Sequence, residues 1–344
     1  MARRRDGWTL SGLPGALRAH ADAVAVLSQV NKQRAHTLAS DPFLHRPLDT
    51  HARDRALLVA QTCDAEATVC RSVETPLYWV TKDMAQVALD ASQDIPALTI
   101  SGAPSPSGVI AVEGGLPPLA PADARGWMTM QRTYHREPIH PDAFLWRTDA
   151  RGFHVVAFTH TSRMPAGVRF YDGPLHELLT LTVRRTADGS WPVLDTPAAD
   201  DALRVERAHG MDMIEASPAR LAVLAWLCAA WHLMQMPTVA ERVSIDPRTG
   251  ERARPEMTSP VNPPEVTRVE LRPLRHVHTS DQAPPGQAST TRTYSHRWIV
   301  RGHWVQQPHG KNRAQRKLIW RESYIKGPET APLKRSRPVN VWRR

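Results

Sequence analysis

The apolar residues of this chain pass from a helical to an extended period after residue 91, and that change points to one fold class. Between residues 8 and 39, Leu13, Leu17, Ala21, Val24, Leu27 and Val30 recur at steps of three or four and would share one helical face. A second helix is expected over 48–70, through Leu57, Leu58, Ala60 and Val69. Residues 78–80 are aromatic and β-branched. Thr81 is placed to N-cap a helix over 82–91, with Asp83 in the first turn, where the helix dipole favours an anion. Beyond it the chain turns to short extended runs at 97–100, 108–112, 144–147, 153–160 and 176–185. The third and fourth form a hairpin around Asp149-Ala150-Arg151-Gly152. Helices first and strands afterwards predict an α+β fold with a mostly antiparallel sheet, not a regular βαβ alternation.

One more helix interrupts the strands. Ser217 as N-cap and Pro218 at the first helical position open it, and Pro237 closes it. Leu221, Val223, Leu224, Trp226, Leu227, Trp231 and Leu233 make it apolar almost all round, which predicts burial on most sides. The apolar run 221–231 is too short for the roughly 20 residues that span a bilayer, so no membrane partner is expected. The N-terminal Met-Ala-Arg-Arg-Arg-Asp leads into no apolar stretch of the kind a signal peptide carries. Three scattered cysteines, Cys63, Cys70 and Cys228, make no disulfide framework and fit a reducing cytoplasm. The organisation expected is an α+β body over 1–240 and a proline-rich linker with one short strand over 241–290, the strand at 266–271. A basic hairpin follows over 291–333, then a mobile basic arm over 334–344.

Charge is what separates the hairpin from the body. Residues 291–344 hold 14 Lys and Arg against Glu322 and Glu329, a net of +12, whereas the whole chain is +10, which leaves residues 1–290 at −2. A near-neutral body with a cationic, Trp-bearing end describes a globular protein with an attached polyanion surface, and nucleic acid is the commonest large polyanion in a cell. Tyr294, Arg297, Trp298, Val300, Gly302 and Trp304 have strand composition, 317–324 alternates, and the polar run 306–313 between them is expected as a loop. Gly327-Pro328 stops the unit. So small a hairpin must dock on the body or on a partner. Its candidate nucleic-acid ligands are Arg297, Arg301, His303, Lys311, Arg313, Arg316, Lys317, Arg321 and Lys326 for phosphates, with Trp304 or Trp320 stacking on an unpaired base. The same tryptophans would serve equally as core anchors, and for any one of them that role has the better odds.

The run 296–333, with Arg301-Gly302-His303-Trp304, Gln307-Pro308, Gly310, Arg313, Arg316, Ile319-Trp320 and Lys326-Gly327-Pro328, resembles the C-terminal module of orphan accessory proteins carried by phages, plasmids and other mobile elements. That grouping includes an anti-CRISPR protein that lowers production of its target nuclease through the encoding messenger RNA. The resemblance is confined to the C-terminal third. It implies an accessory role that puts RNA ahead of DNA and leaves the body to recognise a host protein or a translating complex. It supplies no catalytic residue.

Catalytic and cofactor signals are weak. His276 with His278, His135 with His140, and Cys63 with Cys70 each offer two metal ligands without the paired spacing of a zinc site. His154 and His160 share one strand face, expected as partly exposed. His209, Asp212 and Glu215 offer an acid/base group, more readily read as charged surface before a helix. No phosphate loop or dinucleotide turn is present, so no cofactor is implied. A module binding an acidic protein is the first competitor to a nucleic-acid binder, and a nuclease or group-transfer toxin is the second.

Overall fold

The computed structural model describes residues 8–40, 47–96, 100–117, 140–150, 152–163, 173–185, 188–191, 218–249, 265–272 and 298–326. Strand β1 (Leu77–Val80) lies inside the main sheet, and all four of its residues are buried. Leu77 and Trp79 pack on one face and Tyr78 and Val80 on the other, so both sides must be covered, which is the setting in which parallel strands occur. Accordingly β1 pairs in parallel with β2 (Ser107–Val112) on one side and β7 (Val266–Leu271) on the other. The remaining strands, β3 (Ala143–Asp149), β4 (Gly152–His160), β5 (Leu175–Val183) and β6 (Ala240–Ile245), join antiparallel, giving the order β5-β4-β3-β2-β1-β7-β6. The fold is α+β, with a seven-stranded, mostly antiparallel sheet.

Among the described residues four helices cover the sheet. Helices α1 (Leu13–Ser40) and α2 (Pro47–Arg71) pack on one face, where Leu13, Leu17, Ala21 and Val24 meet Leu77, Trp79, Leu145 and Phe158. Helix α3 (Lys82–Ser92), the crossover between β1 and β2, lies on the other face together with α4 (Pro218–Met234). The full apolar girth of α4 is explained by what surrounds it. Trp226 stacks on Phe144 and donates its indole N–H to the Ala85 carbonyl, and Trp231 lies edge-on to Trp146 and Phe153. Leu224, Trp226, Leu227, Trp231 and Leu233 are wholly buried, and at about 1.5–3 kcal/mol for each large side chain this helix is a main contributor to the core. Among the described residues no helix is long and apolar enough to cross a membrane.

Several expectations change. Residues 240–245, expected at the junction of body and linker, form edge strand β6; Val243 and Ile245 are buried on one face and Ala240 on the other, and the adjacent Glu241 and Arg242 leave too short an alternation to read. Ile100 opens a 3-10 turn instead of ending a strand, and 97–99 lie outside the described residues. Thr81 precedes α3 with extended backbone but no side-chain cap; the Glu113 carboxylate, from the end of β2, accepts the Lys82 N–H at 3.1 Å instead. Ser217, most of the linker and the arm at 334–344 are also outside the described residues.

Candidate nucleic-acid interface

The C-terminal unit is one long hairpin in two ladders. β8 (Trp298–Val300) pairs with β11 (Tyr324–Lys326), and β9 (His303–His309) with β10 (Gln315–Arg321). Two residues on each side, Arg301-Gly302 and Glu322-Ser323, interrupt the pairing between the ladders. The polar run expected as a loop is half strand: Gln306–His309 continues β9, and only 310–314 turn. Glutamines and histidine keep their backbone groups in the ladder, and a ribbon of two edge strands tolerates Pro308 because one side of each strand faces solvent.

Period-2 alternation divides the ribbon into two faces. Trp304 and Trp320 sit directly opposite each other, with ring centroids 5.2 Å apart in edge contact. Trp320 is only 7% exposed and belongs to the core cluster of α3 and α4. Trp304 donates its indole N–H to the carbonyl of Ala91 at 2.9 Å, at the end of α3, and lies edge-on to His232 of α4 at 6.0 Å. Gly302 permits the approach: a Cβ there would stand 2.4 Å from the Trp320 ring. The two tryptophans are therefore docking anchors, the role with the better odds in the sequence; Trp320 is almost wholly covered by the body, whereas Trp304 is half-buried.

On the same face as the tryptophans but further out come Gln306 with Leu318 and Pro308 with Arg316; the opposite face carries His303 with Arg321, Val305 with Ile319, Gln307 with Lys317 and His309 with Gln315. From Gln306 to Lys317 every residue is exposed. Four strand residues at about 3.3 Å each put the tip some 13 Å, roughly, beyond the docked half. Lys311 and Arg313 occupy the turn. Arg316 donates to the Arg313 carbonyl at 2.9 Å and braces it. Gly310, Asn312 and Arg313 all have positive φ, at 79°, 57° and 55°. Asn and Gly adopt this region readily, whereas Arg does so only under constraint.

Of the residues read from the sequence, the structure thus gathers Lys311, Arg313, Arg316 and Lys317 on a projecting arm. Arg301 and Arg321 lie exposed at its base, and His303 is half-buried with its ring nitrogen 3.0 Å from the Arg301 carbonyl. Lys326 sits in β11, paired with Trp298, and Arg297 lies outside the described residues. Residues 298–326 hold seven Lys and Arg and one acid, Glu322. Among the described residues, none of Arg301, Lys311, Arg313, Arg316, Lys317 and Arg321 forms an ion pair with a carboxylate of the body. Missed in the sequence were Asn312 and the extension of the ladder through Gln315; the Gly-Lys-Asn-Arg run carried the turn signal.

The groups weighed for catalysis fall elsewhere. His154 is buried, not partly exposed: its ring nitrogens meet Thr182 Oγ1 at 2.9 Å and Asp149 Oδ1 at 2.8 Å. The hydroxyl in that series belongs to Thr182, 1% exposed, so it closes a polar gap in the sheet and reaches no substrate. His20 pairs with Glu66 inside the α1, α2 layer. Burial, reinforced by Glu66 and Glu177, pushes the nearby Cys63 thiol up to about 12, far from a reactive thiolate. Burial also raises the Asp142 carboxyl, which accepts the His160 N–H at 2.8 Å and faces Arg163 Nε at 3.0 Å, tying the start of β3 to the end of β4. His140 meets the Leu116 carbonyl at 2.8 Å. His135, His209, Asp212, Glu215, His276 and His278 are outside the described residues, among which no three His, Cys, Asp or Glu are grouped to hold a metal. No protein-family model matches this chain, and no curated protein matches it.

Proposed function

We propose that this chain binds nucleic acid in the cytoplasm through the arm 306–317, in the accessory role on a mobile element that its C-terminal resemblance implies. One observation carries the reading. The cations of the arm project from the body on a ribbon whose own tryptophans are its foundation, and no body carboxylate neutralises them among the described residues. Cations used for solubility or edge protection do not require rigid presentation; cations that meet phosphates gain from it, because less ordering entropy is lost on binding.

The test replaces Arg313, Arg316 and Lys317 together by Ala. Each phosphate contact contributes about 0.9 to the slope of log affinity against log salt on duplex DNA and about 0.7 on single strands, so the slope should fall by about 2 to 3 with the melting temperature retained. An unchanged slope would place the binding surface elsewhere. Loss of an acidic protein from a pull-down, with nucleic-acid affinity intact, would favour the interaction-module reading.

A further inference from the structure

We propose that the arm is a groove reader for B-form duplex DNA, entering the major groove tip first. This rests on the nucleic-acid reading above and specifies its ligand, reversing the order of RNA before DNA expected from the sequence. Three observations lead there. First, the projecting arm carries no aromatic platform of its own: 306–317 contains no Trp, Tyr or Phe, Trp304 and Trp320 anchor its base on the body, and the exposed Tyr324 lies in β11, on the far side of that base from the tip. Sequence-tolerant binding of unpaired strands depends on such platforms, so an arm without one is poorly made for single-stranded RNA or DNA.

Second, the dimensions fit one groove. A ribbon with side chains on both faces is about 10 Å thick, and the major groove of B-DNA is about 12 Å wide and about 8.5 Å deep. The free length of about 13 Å reaches its floor before the docked half collides with the backbone. The major groove of A-form RNA is too narrow for side chains to read, and its minor groove is too shallow to hold a ribbon.

Third, the cations are distributed as such an entry requires. Arg316 and Lys317 are adjacent in β10 and so leave it on opposite faces; Lys317 is placed for one phosphate wall, and Arg316, with one guanidinium nitrogen on the Arg313 carbonyl at 2.9 Å, keeps its other donors for the opposite wall. Lys311, Asn312 and Arg313 form the tip, where donors meet base edges; Arg and Lys pair with the O6 and N7 acceptors of guanine. The backbone at the tip supports this division. At φ 55° Arg313 holds a conformation that Gly would adopt without cost, and the turn keeps an arginine there.

The experiment measures fluorescence anisotropy of the full chain, at one ionic strength, with three probes: a 20-base-pair DNA duplex, one of its strands alone, and the RNA duplex of the same sequence. The DNA duplex is expected to bind at least about tenfold tighter than either other probe, a contrast that a merely cationic surface would not produce. Arg313→Gly relieves the turn, so the melting temperature should hold or rise while duplex affinity drops several-fold; Lys317→Gln, removing one wall contact, should lower the salt slope by about 1. Equal or tighter binding of the single strand or the RNA duplex would overturn the groove assignment while leaving the nucleic-acid reading in place. Wild-type affinity in Arg313→Gly would likewise overturn it. Absence of binding to all three probes would remove the nucleic-acid reading itself, and the groove assignment with it.

Discussion

Replacing Trp320 by Ala should release the hairpin from the body, and Gly302 supplies an internal control on the reason. Trp320 is 7% exposed, lies in the core cluster of α3 and α4, and covers Gly302 so closely that an added Cβ would stand 2.4 Å from its ring. Truncating a buried Trp to Ala costs about 3–5 kcal/mol, of the order of the whole docking energy of so small a ribbon. Gly302 has no left-handed φ, so Gly302→Ala meets only the ring; forcing a methyl into a filled contact costs about 1–3 kcal/mol. In the Trp320→Ala background the methyl has space, and the cost of Gly302→Ala should fall to within about 0.5 kcal/mol of zero. Hydrogen exchange read by mass spectrometry on peptides from β9 and β10 measures this opening separately from unfolding of the sheet. Strictly additive costs, or a Trp320→Ala variant whose β9 and β10 amides remain protected, would refute the docking geometry.

Two further perturbations test other contacts. Burial holds the His232 imidazole below its ordinary 6.5, beside Trp304 and over Gly102. The unfolded or undocked state therefore takes up the proton first, so stability contributed by neutral His232 is complete above pH 6.5 and is lost as pH falls through the lower folded value; thermal melts from pH 8 to 5 should show this loss, and His232→Gln should flatten that part of the curve. Gly108 pairs with Trp146 across β2 and β3 and a Cβ there would stand 2.4 Å from the indole, so Gly108→Ala should cost about 1–3 kcal/mol in urea unfolding, whereas Gly15→Ala, on α1 with open space around it, should gain about 0.5–1 kcal/mol.

Local periodicity was enough to find most of the elements, because each helix or strand in the body keeps an apolar face of its own. Residues 144–147 and 153–160 alternate and pair as read, and Leu221 to Leu233 forms the buried helix that its composition requires. What the sequence withholds is partnership. Nothing local to 266–271 says that it pairs with β1, nearly two hundred residues earlier, or that 240–245 then closes the edge. The sequence favoured packing over stacking for Trp304 and Trp320 only by odds, because both call for an aromatic ring; what anchors them is distant, the Ala91 carbonyl 213 positions from Trp304 and the α3 and α4 cluster around Trp320. Gly302, two residues before Trp304, was the one local sign of a close approach. His154 could have been read correctly, since it shares its strand face with Val156 and Phe158, and a polar residue on a core face needs partners, here the buried Thr182 and the Asp149 carboxylate at the sheet's rim.

The division of labour inside the hairpin follows from these contacts. A two-stranded ribbon in water is marginal by itself, so a free basic hairpin would have to be ordered by its ligand and would lose affinity to that ordering. Here the apolar half is completed by α3 and α4, and order propagates through continuous backbone pairing from Trp304 and Trp320 to His309 and Gln315. The exposed half then needs no apolar residues of its own and is composed of polar and cationic ones. The body contributes a second effect: with a net charge of −2 over residues 1–290 it offers a polyanion no general attraction, so among the described residues the positive field is strongest at the ribbon. On the proposed function, rigid docking of the base and localised charge would together direct a phosphate-bearing ligand to the tip of the ribbon.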